Sequence, residues 1–263
     1  MIALGLAVVA LLGPLLGDLV EYRVTETFRN QTLGLDAVSL VIVAPLSLFA
    51  AVLAHRGHVA GPAIALGIGA YTTYMLLQYI LGPDYAALAG NNERLFPLYL
   101  LLFAAGWLVA LGGWRAIDER RLAGSRRRDR LLGRIVLPAL AFVTFSRYVP
   151  SIADALSATP NQAYLAGPSF FWAIAMLDLG VLLPAVVIAC VALARDTPWA
   201  HKALYLVVGW LGLVGPAVAG MAIAMHVNDD PTTTTGGTVL MIVLGLAYAA
   251  LAVAVLRPLF GRR

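Results

Sequence analysis

A chain of 263 residues that is 61% hydrophobic and only 12% charged lacks the polar skin of a soluble domain, which is roughly a quarter charged. The net charge of +4 does not point to nucleic acid, because the basic residues gather at the ends of apolar runs, as membrane insertion requires. The lone cysteine, Cys190, lies inside an apolar run, which excludes an intrachain disulfide, a thiolate metal cluster and a cysteine-pair redox centre.

Eight apolar runs follow one another at 3–17, 35–54, 59–81, 95–113, 131–149, 170–194, 203–227 and 238–256. A spanning helix needs about 20 such residues, with about 17 tolerated. The runs predict an all-α, polytopic transmembrane helix bundle of eight spans, folded as a single integral membrane domain. The first run is the shortest. It lacks a basic leader and a small-residue cleavage site before Asp18, so a retained span is expected rather than a signal peptide.

Between the first two spans, Val20, Val24 and Phe28 recur every four residues, with Glu21, Arg23, Glu26 and Arg29 on the other faces. This spacing predicts a short amphipathic helix lying on the outer leaflet or covering the bundle. Asn30-Gln31-Thr32 matches a glycosylation sequon.

Span two carries Asp36 near one end and Pro45 nearer the middle. Span six repeats the order with Asp178 and Pro184, and in both an arginine lies 11 residues past the proline. The parallel suggests two tandem four-helix halves, 1–113 and 131–257, related by an axis along the membrane normal. The Asp–Pro spacings, nine against six, make the match imperfect.

In span three, Tyr71, Tyr74 and Gln78 are spaced to share one helix face, with Thr72 and Tyr79 beside it. Such a stripe lines a pocket or packs helices through hydroxyl hydrogen bonds. Glu93 and Arg94, just before span four, read either as helix caps or as the rim of an outer pocket.

Charge then sets the topology. Every even-numbered loop and the C-terminal tail is basic, and no odd-numbered loop is. Arg and Lys stay on the cytoplasmic side during insertion, so both termini are expected there, in a cell (inner) membrane. The block from Gly124 to Arg128 acts chiefly as a topology determinant, with anionic-lipid contact as the lesser reading. Trp114 and Trp199 at one level and Tyr85, Tyr148 and Trp172 at the other agree with this arrangement.

Polar groups within the spans collect towards the outer side. Asp178 lies 17 residues before Arg195, about 25 Å at 1.5 Å per residue, which places it just inside the outer boundary of a ~30 Å core. Asp36 falls at that boundary by the same count. A carboxylate at depth faces the bundle interior, paired or protonated. Arg147 and His226, at the same level in spans five and seven, are its candidate partners.

Nothing calls for a cofactor or metal. The bis-histidine pairs of intramembrane haem proteins are missing, Lys202 lies at a helix end where retinal would not reach it, and His55 and His58 have no third ligand nearby.

The segments Thr32-Leu33-Gly34-Leu35-Asp36, Pro45-Leu46, Ala54-His55-Arg56-Gly57 and Tyr71-Thr72-Thr73-Tyr74 resemble a group of uncharacterised actinobacterial multi-pass membrane proteins, over about the first third of the chain. Here His55 replaces one basic residue of that group's turn. The resemblance implies a bundle and no activity.

Three functions remain open. One is a protein that binds or transports a small solute or lipid through an outward-facing polar pocket, with Asp178, Arg147, His226, Asp36, Tyr71, Tyr74, Gln78, Glu93 and Arg94 as the ligand-binding set. Another is an intramembrane enzyme whose protonated Asp178, paired with Asp36 or Glu93, acts on a lipid or isoprenoid. The third is a non-catalytic subunit or scaffold held by a membrane protein partner. Membrane lipids surround the chain in all three.

Overall fold

The computed structural model describes residues 1–17, 19–118 and 126–261. Asp18, the loop charges Glu119, Arg120 and Arg121, Gly124 and Ser125 of the arginine block, and Arg262 and Arg263 lie outside the described residues. The described chain is helical and has no strand. Seven of its helices are long and apolar enough to cross a membrane: α2 (Glu26–His55), α3 (Ala60–Leu81), α4 (Asn92–Ala116), α5 (Leu132–Ala155), α6 (Pro168–Ala194), α7 (Ala200–Val227) and α8 (Thr235–Gly261).

The expected first span falls short. Helix α1 (Ile2–Leu12) has 11 residues, about 16 Å of rise, roughly half of a ~30 Å hydrocarbon core. Gly13 leaves the helix in an extended conformation, because the residue before Pro14 is driven out of the α region. So seven helices have spanning length, not eight. Helix α1 still belongs to the bundle and packs against α2 and α4.

The amphipathic helix expected over 19–32 is also corrected. Residues 19–25 form a non-helical strap, and α2 begins at Glu26 and runs on unbroken. The strap's polar backbone is paired with the segment before α4: Asp84 donates to the Arg23 carbonyl (2.8 Å), Asn91 to the Glu21 carbonyl (2.9 Å), and Glu21 to the Asn91 side chain (2.9 Å). These long-range partners removed the need for helical bonds.

Helices α3 and α7 form the centre. The membrane-length windows of α3 and α7 are 61% and 50% buried, against 17–33% for the other five. Glycines let the two cross closely: a Cβ on Gly67 would meet the Gly209 backbone at 2.5 Å, and one on Gly34 of α2 would collide with the Gly220 carbonyl of α7. Small residues at crossings are how apolar helices gain contact where lipid competes equally for their side chains. Val41, Leu108, Phe142, Met176, Leu246 and Val253 point outward, an apolar belt suited to lipid.

Three helices share one local device. In α2, α5 and α6 the residue before a proline donates its N–H five residues back rather than four: Ala44 to Ser39, Leu137 to Leu132 and Leu183 to Asp178. Pro45, Pro138 and Pro184 follow. A proline lacks the N–H and crowds the carbonyl four residues back, and a π turn relieves both.

The α2 start is tied to the α7–α8 turn. Asn30 donates to Asp230 (3.1 Å), as do Thr27 (3.4 Å) and the Thr232 hydroxyl (2.6 Å) and backbone (2.9 Å). Asn30 is thereby buried, which closes the sequon to glycosylation. Burial pushes the Asp230 carboxyl up, but these hydrogen bonds outweigh it and hold it below the ordinary 3.8. A depressed carboxyl contributes stability above its unfolded value and loses it as pH falls through the folded one. The thermal midpoint of the wild type should therefore drop faster than that of Asp230→Asn once the pH is lowered past 3.8; parallel acid profiles would refute the tie.

Candidate functional site

Asp178 is the first residue of the π turn in α6 and is 6% exposed. Two tyrosines from different helices hold its carboxylate. Tyr74 of α3 donates to Oδ1 and Tyr148 of α5 to Oδ2, each at 2.5 Å. Both distances are at the short end of hydroxyl–carboxylate bonds, the strong charge-assisted kind. Arg147 completes the cluster, with a guanidinium nitrogen 3.7 Å from Oδ2. That guanidinium also lies over the Tyr148 ring, 4.9 Å from its centroid, and donates to the Thr144 carbonyl (3.2 Å) and the Tyr148 hydroxyl (3.4 Å).

The two charges differ in setting. The Arg147 side chain is 53% exposed and that of Asp178 8%. At 3.7 Å the pair makes no direct hydrogen bond, and its exposed member is screened, so the attraction itself is weak. Arg147 therefore lies half in solvent beside the acid, while the tyrosines bond it directly. Trp210 of α7 packs edge-on against Tyr74, ring centroids 5.0 Å apart, and its buried indole N–H has no hydrogen-bond partner among the described residues.

The bends of α5 and α6 put these groups together. The winding of α5 is interrupted by a turn at Ser146–Arg147, after which Tyr148 is buried against Asp178 and Arg147 stays half in solvent beside it. Thr144 in the preceding turn pairs with the Tyr248 hydroxyl of α8.

Asp36 belongs to a different cluster. It is 1% exposed and accepts from the Tyr79 hydroxyl. It lies ten residues into α2, which starts nine residues before the predicted span. The Tyr79 ring packs between Tyr22 (5.3 Å) and Tyr99 (5.7 Å), and Tyr71 bonds Ser39 at 2.8 Å. So the predicted stripe divides. Tyr71 serves the Asp36 side and Tyr74 the Asp178 side, while Gln78 is buried without a side-chain hydrogen bond among the described residues.

The remaining candidates lie elsewhere. His226 is exposed at the end of α7 and makes no side-chain hydrogen bond or ion pair among the described residues, so it is not a partner of Asp178. Glu93 stands in the first turn at the start of α4, where a capping acid would, and is not a second acid beside Asp178. It binds Arg23 of the strap through both oxygens (2.9 and 3.1 Å), and Arg94 is exposed beside it. The acid pair needed for intramembrane catalysis is thus not assembled, since Asp178, Asp36 and Glu93 share no partner.

Tyr148, read from sequence only as an interfacial anchor, is a direct ligand of Asp178. Its adjacency to Arg147 was the available signal, because a phenol beside a buried acid finds it. No group of three or more His, Cys, Asp or Glu placed to hold a metal occurs among the described residues. Comparison with protein-family models, curated proteins and solved structures yields no match to this chain.

Proposed function

We propose that this chain is a multi-pass cell-membrane protein, its arginine-rich end cytoplasmic, that binds and carries a small solute or lipid bearing a cationic group at Asp178. The observation that carries this reading is a buried carboxylate fixed by two hydroxyls while its counter-charge, Arg147, is half in solvent. An incoming ammonium can displace Arg147 and inherit a desolvated acid walled by Tyr74, Tyr148 and Trp210, groups that also offer cation–π faces. Positive-inside bias supports the orientation, and a concavity of about 570 Å³ lined by Arg127, Arg128, Arg130 and Arg134 marks the basic end.

The packing supports tandem halves. Within each candidate half the third and fourth helices pair most extensively, α3 with α4 and α7 with α8, and the two third helices cross at Gly67 and Gly209. Asp36 and Asp178 each stand ten residues into their helix. The π turn recurs a third time, in α5, so that device alone does not mark the repeat.

The test uses purified protein with choline and ethanolamine as probes. Wild type should gain thermal stability with one of them and Asp178→Asn should not. Equal responses of the two proteins, or no response from wild type, would count against the reading.

A further inference from the structure

Asp36 lacks what Asp178 has. Its Oδ1 accepts from Tyr79, but its Oδ2 is buried with no hydrogen-bond partner. The groups that face it are the phenols of Tyr79 and Tyr71 from α3, Tyr99 from α4 and Tyr22 from the strap. No basic side chain bonds it among the described residues. Gly13 at the end of α1 abuts Oδ2, since a Cβ there would lie 3.3 Å from that oxygen.

An ionised carboxylate in such a place is costly. Removing it from water costs several kcal/mol in practice, and no protein cation offsets it here. The α1 C-terminus adds to this, because the negative end of its helix dipole points at the acid and favours positive charge. We propose that Asp36 is a second site, separate from Asp178, that takes a monovalent cation, a proton or Na⁺, at Oδ2. The phenols of Tyr22, Tyr71, Tyr79 and Tyr99 are the polar groups around the acid, and oxygen is the donor a hard cation prefers, with Asp36 as the single charge.

The experiment measures thermal unfolding of the purified full chain in detergent, in two arms. One arm replaces N-methylglucamine with Na⁺ at fixed pH. The other lowers the pH from mildly alkaline to mildly acid without Na⁺. Wild type should gain stability in one arm, which identifies the cation, because a ligand bound only by the folded state stabilises it. Asp36→Asn should be flat in that arm, and Asp178→Asn should respond as wild type, so failure at the solute site and failure here are distinguishable. Where Asp36→Asn does not fold, Gly13→Ala keeps the acid but presses on Oδ2, and should raise the half-effective cation concentration about tenfold. A wild type flat in both arms, an Asp36→Asn that responds as wild type, or an unshifted Gly13→Ala overturns the proposal.

Discussion

Gly67→Val should leave little folded protein. Its Cβ would stand 2.5–2.9 Å from the Gly209 backbone, and backbone in the middle of a packed bundle has no rotamer with which to yield. Overpacking a core costs about 1–3 kcal/mol and at times more. Here two central helices would have to part, so the upper end or beyond is expected. Gly34→Val, which meets the Gly220 carbonyl, should behave alike. Gly112→Ala is the control: nothing lies within 4 Å of its Cβ, and losing a helical glycine gains about 0.5–1 kcal/mol. Size-exclusion profiles and thermal midpoints in detergent separate these outcomes, and a Gly67→Val protein as stable as wild type would mean that α3 and α7 do not cross there.

Removing both hydroxyls from Asp178 should have the next largest effect. Each of Tyr74→Phe and Tyr148→Phe leaves one oxygen of a buried carboxylate without its donor, at about 1–3 kcal/mol each and more for a charged group. The double variant should lose more than the sum, because either tyrosine alone still anchors the acid. Adding Asp178→Leu to the double variant should restore much of the stability, since an apolar set of similar shape carries no unsatisfied group. Denaturant unfolding of wild type and the four variants reads this cycle. Single losses below about 0.5 kcal/mol would show that the phenols do not hold the acid.

The apolar runs made most of the bundle legible, because hydrophobic length is the strongest signal a membrane chain carries. Span three was expected at 59–81 and is Ala60–Leu81. The first span misled because its apolar run continues past Pro14, where the backbone does not. The strap misled because a four-residue hydrophobic spacing fits a helix equally well, and only the distant Asp84, Asn91 and Asn92 decide against it. At the site, depth counting brought Asp178 and Arg147 together correctly. The same count placed His226 at their level but is blind to azimuth, and that side chain is exposed with no bond to Asp178. Azimuth also separated Tyr71 from Tyr74: three residues along a helix differ by about 60° around it, enough at the core to address different neighbours.

The widened turn beginning at Asp178 has a mechanical meaning. It holds one residue more than ordinary winding, and one residue is worth about 100° of rotation and 1.5 Å of advance. Were the surplus to migrate along α6, the acid would swivel off its two phenols while the remainder of the helix kept its place. Pro184 opposes that migration, since it is the proline that the widened turn accommodates, and Pro45 and Pro138 hold the same spare residue in place in α2 and α5.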